Sequence, residues 1–560
     1  MKKITTALLL SLLCLGYLPM YAQFKIIAEG PKFEEPEEGF AKILQLKNGN
    51  TFYIHVTLKD GINVRIYGAS YKEKTVTTFL PSYQELEESD AVEGIFEIND
   101  NVVVFVNKNE DKLLTLYRLI IDGNTGKLKE QKIIAVGKNP AKYGRYRKPR
   151  QMDFFNIRKD PYSDNYAVAV YDESEGDRTK ILEIIHYSGN HTELTRKFCY
   201  LPAATCNFLD MVVIGSEKIC AFLAFTQDDE IKYQVMAVIE KGAASVGYTQ
   251  LTIPNQLTEV YKAAKKNLLI PETLLFGMAK YNPATQKIIF VEDGLINDQR
   301  GQSYYLFALK HVAFLYVIDP ITKEVQFESQ LEQSEKLHTE FKELLEEKKK
   351  YNGRPQDIII NDDGGFTILY EEQFFMQDKS GNRTELESIV LSRYDRNGKN
   401  ISEHLVPKAQ AVLTTKLVPF YIAKRTHAAQ LLFRGNQYKS FAYVDGTKSK
   451  YILFNDTEKN NDIKNARKRG NIYTGLSKAK LVMIIGVTID CNAFMYKLAG
   501  DDLFPEREYL FAEKENEKGR ALALLTVSDY NKKSNTYATL KLDKSSMKSK
   551  MINIVWQEPD

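Results

Sequence analysis

Asn361-Asp362-Asp363-Gly364-Gly365-Phe366-Thr367-Ile368-Leu369-Tyr370-Glu371-Glu372 is the stretch on which the fold is decided. Asn, Asp and Gly supply a turn, because Gly tolerates positive φ and Asx side chains bond their own backbone. The turn opens into alternation: Phe366, Ile368 and Tyr370 on one face, Thr367 and Leu369 on the other. Period-2 alternation after a tight turn reads as the second strand of a β-hairpin.

Degraded copies of this unit recur in both directions. Ala41–Leu46 turns at Lys47-Asn48-Gly49-Asn50 into Thr51–Leu58, and Lys59-Asp60-Gly61 turns into Ile62–Tyr67. Gly94–Ile98, Val102–Val106, Leu113–Ile121 and Ile133–Val136 form a four-stranded meander. Similar sets begin near Phe154, Met211, Leu274, Asn361, Phe441 and Tyr509, so the last set is read as Tyr509–Ala512, Ala521–Val527, Tyr537–Leu542 and Ile552–Trp556. Repeated four-stranded meanders predict an all-β fold, a β-propeller of seven or eight blades, since stacked blades leave only short edges open. Tandem sandwiches would need long crossing connections instead. Phe24–Ala28 is placed to pair near Ile552–Trp556 and close the ring. Two helical patterns interrupt the strands, Asn255–Lys266 and Gln330–Lys350, the second with Leu337, Phe341, Leu344 and Leu345 on one face.

The chain has 560 residues, 44% hydrophobic and 27% charged, which excludes a disordered protein. Lys2 and Lys3 before the apolar run Ala7–Leu18, with Tyr21-Ala22 ahead of Gln23, predict a signal peptide over 1–22 and an exported mature domain over 23–560. The expected location is periplasmic or extracellular, with no transmembrane segment in the mature chain. Removing Lys2 and Lys3 lowers the formal charge from +3 to +1, which predicts no nucleic-acid partner. In an oxidising compartment Cys199–Cys206 or Cys206–Cys220 is a candidate disulfide; alternatively Cys220 is a small buried hydrophobe.

Asp363-Gly364-Gly365-Phe366-x-Ile368-Leu369-x-Glu371, Tyr451-Ile452-Leu453-Phe454-Asn455-Asp456 and the Ala22-Gln23 junction resemble the secreted, propeller-like proteins common in Bacteroidetes-type bacteria. The resemblance implies export and a propeller fold, and supplies no catalytic residues.

Three constellations are candidates for chemistry. Asp172-Glu173, Glu292-Asp293, Glu371-Glu372 and Asn455-Asp456 all follow second strands, where paired carboxylates serve glycosidases or hard cations, or are solvated strand ends. Lys138–Arg150 carries Tyr143, Arg145, Tyr146, Arg147, Lys148 and Arg150, and a second loop carries Arg467, Lys468 and Arg469. Arg forks and Tyr faces suit anionic ligands, so these nine residues are the expected ligand-binding set. His186 and His191 flank one hairpin turn and are the single close histidine pair. No metal or other cofactor and no catalytic motif is expected. The sequence therefore predicts a binding or scaffold module of the cell envelope for an anionic glycan, a lipid headgroup or a partner protein. A glycan hydrolase using facial carboxylates is the alternative.

Overall fold

A computed structural model describes residues 24–560 except 87–90, 111–112, 139–153, 173–174, 203–204, 228–229, 256–274, 298–308, 346–349, 379–380, 414–416, 418, 433–435, 458–490, 499–504, 512–520 and 544–550. The opening stretch behaves as its residues dictate. Gly364 adopts φ +80° and its N–H donates to Asn361 O at 3.1 Å, closing the turn, while Asp363 Oδ1 accepts from Gly365 N at 2.9 Å. Gly364 O in turn accepts from Asn282 Nδ2 at 2.8 Å, so the turn also docks on the preceding blade.

The chain is an eight-bladed β-propeller of four-stranded antiparallel blades. Blade 1 comprises Phe40–Gln45, Thr51–Val56, Ile62–Tyr67 and Glu73–Phe79; blade 2, Ala91–Ile98, Asn101–Glu110, Leu113–Asp122 and Leu128–Lys138. Blade 3 comprises Phe155–Lys159, Tyr166–Tyr171, Leu182–Tyr187 and Glu193–Phe198; blade 4, Thr205–Ile214, Lys218–Gln227, Glu230–Glu240 and Gly247–Leu251. Blade 5 comprises Leu275–Asn282, Lys287–Asn297, Leu309–Ile318 and Val325–Gln330; blade 6, Arg354–Ile360, Phe366–Asp378, Gly381–Tyr394 and Asn400–Val406. Blade 7 comprises Phe441–Asp445, Lys450–Thr457, Cys491–Leu498 and Glu506–Tyr509. Blade 8 comprises Ala521–Ala523, Thr536–Asp543, Met551–Glu558 and the N-terminal Lys25–Glu29.

The predicted closure holds: Lys25 pairs with Glu558, Ile26 with Gln557 and Ala28 with Trp556. Phe24 anchors the closing strand with its ring 4.7 Å from Tyr451 and 5.8 Å from Tyr537. Two assignments near the end are corrected. Tyr509 belongs to the outer strand of blade 7, and Ala521 opens the inner strand of blade 8, whose second strand is Thr536–Asp543. The third strand of blade 7 is Cys491–Leu498, which pairs directly with Lys450–Thr457.

First strands of neighbouring blades touch one another around the axis. Apolar side chains fill the seams between blades, as where Phe222 of blade 4 stacks on Phe290 of blade 5 at 4.1 Å. Each such buried side chain contributes about 2 kcal/mol of transfer free energy. Cys199, Cys206, Cys220 and Cys491 are buried without a disulfide, so neither candidate bridge forms. Burial pushes the Cys199 and Cys220 thiols up to about 12, which keeps them protonated.

The predicted helix near Gln330–Lys350 is α1, Glu335–Leu345, which buries Leu337 and Phe341 against blades 5 and 6. Beyond Asn255, the other predicted helix lies outside the described residues. A helix that the periodicity did not reveal, α2 (Tyr421–His427), sits in the connection between blades 6 and 7. Phe420 N bonds Pro355 O of blade 6 at 3.0 Å, and the His427 ring lies 5.9 Å from Phe96 of blade 2. Blades 2 and 6 are opposite in an eight-membered ring, so α2 crosses the channel. Gln430 and Leu431 then pair with Ala41 and Phe40 at the start of blade 1. The segment thus runs from Pro355, near the start of the blade 6 inner strand, into the channel, where His427 meets Phe96 near the end of the blade 2 inner strand.

Candidate functional site

The tight turns between first and second strands build one end of the ring. A cleft of about 660 Å³ lies there between blades 8, 1 and 2. Its floor is Leu44–Lys47, its walls are Ala69, Tyr71 and the blade 8 turn Asp529–Ser534, and Glu97 closes the blade 2 side. Beyond the pairing of Phe40 and Ala41 with Leu431 and Gln430, the inner strand of blade 1 has no strand beside it, so its inward N–H groups need other acceptors. Gln45 N donates to Asp529 Oδ2 at 2.8 Å, and Lys47 N donates to Glu97 Oε1 at 2.7 Å.

Both carboxyls sit above the ordinary carboxylate range. Burial raises Asp529, against the bond from Gln45 N and the buried Lys42 ammonium. Burial likewise raises Glu97, against Lys47. Lys42 itself is pulled down to about 8 by burial, with Asp529 acting the other way.

The rim carries cations. Lys47 Nζ reaches Asp164 of blade 3 at 2.9 Å, and Lys532 Nζ reaches Asp362 of blade 6 at 2.7 Å and Asp445 of blade 7 at 2.9 Å. Burial pulls both ammonium groups down, but the acids more than offset it and hold them above the ordinary value. Lys533 is exposed and has no ion-pair partner among the described residues. Tyr71 packs on Trp556 at 5.2 Å, and Tyr530 donates to Asn535 Oδ1 at 2.8 Å, which fixes two phenol rings in the walls. The Gln45 amide in the lining donates to Asp529 O and Thr536 O, the Asn50 amide to Gly123 O, and Asn531 Oδ1 accepts from Lys533 N and Ser534 N, so these amides build the cleft wall.

Above the cleft, cations and acids alternate around the axis. Arg158 of blade 3 bonds Asp210 of blade 4 at 2.8 Å, and Lys280 of blade 5 lies 3.4 Å from Asp357 of blade 6. Lys42, Arg158 and Lys280 surround His427, and burial together with these cations holds its imidazole neutral.

The sequence-predicted sites fare differently. Tyr143, Arg145, Tyr146, Arg147, Lys148, Arg150, Arg467, Lys468 and Arg469 lie outside the described residues. The acids that were read as solvated strand ends are not solvated. Glu292, Asp293, Glu371, Glu372, Asn455 and Asp456 are all buried, because their strands continue to Asn297, Asp378 and Thr457. They bond across or along the seams instead. Lys408 Nζ and Tyr421 OH both reach Glu371, each at 2.5 Å, and Tyr421 OH lies 2.9 Å from Ser440 Oγ. Gln234 of blade 4 donates to Glu292, Asp456 bonds Arg507 at 3.2 Å, and Asn455 clamps Ala523 of blade 8 through both its N–H and its carbonyl. Asp172 is half-buried, and Glu173 is outside the described residues. These pairs therefore do not ring a face.

His186 and His191 do not meet. His186 Nε2 lies 3.2 Å from Gly215 O on the blade 4 side, and His191 Nδ1 lies 3.1 Å from Tyr166 OH, which also accepts from Arg118 of blade 2. Among the described residues no cluster of three or more His, Cys, Asp or Glu could hold a metal. No described helix is long and apolar enough to cross a membrane.

Sequence reasoning missed the cleft because its walls are nearly 490 residues apart, as the Gln45–Asp529 bond shows. The available signal was a pair of similar turns, Lys47-Asn48-Gly49-Asn50 and Asn531-Lys532-Lys533-Ser534-Asn535. No protein-family model matches the chain, and no curated protein does. Among solved structures it is similar to the WD40 domain of SCAP from fission yeast, at 8% identity over 94% of this chain and 98% of that one, with a TM-score of 0.33. It is also similar to the polysaccharide lyase Uly1, at 9% identity over 96% and 100%, TM-score 0.36. A member of the DUF4221 family from Bacteroides vulgatus matches at 10% identity over 70% and 99%, TM-score 0.26.

Proposed function

We propose that this chain is an exported binding module of the cell envelope that holds an anionic glycan in the tight-turn cleft. The observation that carries the reading is the cleft itself: a concave space bordered by Lys47, Lys532 and Lys533, with fixed Tyr71 and Tyr530 rings. Phenol faces pack on sugar rings, and exposed ammonium groups meet carboxylates. Export is supported by Lys2, Lys3 and the apolar run ahead of Ala22.

The test is titration calorimetry with oligosaccharides of polygalacturonate and of hyaluronan, on the mature chain and on a Lys47→Glu, Lys532→Glu, Lys533→Glu variant. Each reversal at an exposed site is worth about 1 kcal/mol, so the triple variant should bind at least about tenfold more weakly. Equal affinity in the variant, or no binding of either oligosaccharide by the wild type, rejects the cleft as the glycan site. The strand ends joined by the two basic loops, Lys138 to Phe155 and Thr457 to Cys491, lie at the crossover end of the ring. Charge reversal at Arg145, Arg147, Arg467 and Arg469, in the segments that join those strand ends, serves as the comparison.

A further inference from the structure

We infer that Tyr71 makes the cleft selective for sugar rings over other anionic chains. The inference rests on the glycan-binding reading and deepens it, by naming the residue that sets what the cleft accepts.

Five turns among the described residues close in the same way: the fourth residue's N–H donates to the first residue's carbonyl, and the first residue's N–H to the fifth's carbonyl. The fourth residues are Gly49, Tyr71, His191, Gly364 and Gly398, with φ of +84°, +62°, +62°, +80° and +90°. Glycine fits there without strain, whereas the Cβ of a larger residue crowds the backbone. A bulky residue persists in such a position where its side chain is needed. His191 is accounted for, since its Nδ1 lies 3.1 Å from Tyr166 OH. Tyr71 has no such polar partner: its hydroxyl is neither buried nor hydrogen-bonded among the described residues.

Tyr71 has instead a rigid backing. Its ring packs 5.2 Å from Trp556, which is fully buried. Trp556 is fixed in turn by the Tyr67 ring at 5.1 Å and by its Nε1, which donates to Thr51 Oγ1 at 3.1 Å. Tyr71 and Thr51 both line the cleft. The other phenol of the cleft differs, because Tyr530 gives its hydroxyl proton to Asn535 Oδ1. Tyr71 thus offers a fixed ring and an unspent hydroxyl, which match the C–H face and a hydroxyl of a pyranose. The rim lysines are point charges that do not tell a uronate from any other carboxylate. A ring platform does.

The experiment sets the tighter-binding of the polygalacturonate and hyaluronan oligosaccharides beside an oligoglutamate of equal charge. Binding to the mature chain is followed by calorimetry and by the emission of Trp556, the single tryptophan of the chain. Tyr71→Gly and Tyr71→Asn both accept positive φ, and Tyr71→Phe keeps the ring. The wild type should bind the sugar more tightly than the oligoglutamate, and the sugar should change Trp556 emission. The two ringless variants should lose at least about fivefold in affinity for the sugar and stay within about twofold for the oligoglutamate. Tyr71→Phe should lose less than either. A ring that only covers Trp556 gives the reverse: a lower melting temperature with sugar affinity unchanged. That result overturns the inference and leaves the binding reading standing. So does an equal loss for both probes, equal wild-type affinity for both, or sugar binding without a change in Trp556 emission. Absence of binding of both oligosaccharides by the wild type overturns both.

Discussion

The two ends of the central channel use the same residue types to opposite effect. At the crossover end, Glu371, Lys408 and Ser440 are buried together with Tyr421, the first residue of α2. At the tight-turn end, Lys47 and Lys532 pair with acids while half exposed to solvent, and Glu97 and Asp529 border an open cleft. The lesson is that carboxylate pairing in a propeller takes its meaning from depth. A buried pair ties blades together, since removing one partner strands the other without water. An exposed pair costs little to separate and stays available to a ligand.

That contrast is open to attack, beginning with its largest effect. Glu371→Ala should destabilise the fold by about 3–5 kcal/mol, because Lys408 and Tyr421 lose their shared acceptor in a buried site. Denaturant unfolding measures this, and a loss under about 1 kcal/mol would mean the crossover end is as tolerant as the tight-turn end.

Glu292 makes the same case through pH. Burial raises its carboxyl from 4.5 to about 8, with Gln234 donating to it. Between those pH values the folded chain holds a proton that the unfolded chain has released. Stability therefore falls as pH rises through that window and levels off above it. Glu292→Gln should remove a pH-dependent term on the order of 5 kcal/mol, giving a flatter unfolding profile from about pH 5 to 8. A profile as steep as the wild type's would show that Glu292 is not the titrating group.

Asn455→Ala should cost about 2–3 kcal/mol, since it strips acceptor and donor from Ala523 and a donor from Tyr438 O. Lys532→Ala, at the tight-turn end, should change stability by less than about 1 kcal/mol despite its two acidic partners. A larger loss there than in Asn455→Ala would reverse the comparison.

The fold was legible because its signals are local. Asn48-Gly49, Asp60-Gly61 and Asp363-Gly364 mark turns within four residues, and alternation along Phe366–Tyr370 marks a strand within five. Burial of Glu371 and Glu372 was not legible, because nothing near them in sequence reveals that Lys408, Tyr421 and Tyr351 cover them. The strand alternation stopped at the acids, so the strand was ended there, six residues before Asp378. The segment from Val406 to Phe441 read as neither strand nor helix. α2 has fewer than two turns, too short for a 3.6-residue period to register. The cleft escaped for a different reason: each of its walls is an ordinary polar turn, and only ring closure brings the turns together.

Ring closure also sets an order of assembly. The strand Lys25–Glu29 emerges first in synthesis, yet its partner Met551–Glu558 is made more than 500 residues later. Blades 2 to 6 each consist of consecutive strands and can form as they are made, whereas blade 8 cannot. The entropic cost of this long closure grows only with the logarithm of loop length, about 2 kcal/mol more than closing a 50-residue blade. The delay is thus kinetic rather than thermodynamic: Phe24 and its strand wait unpaired through nearly the whole of synthesis. The cleft shares that timing, because Asp529–Ser534 belongs to the blade that closes last.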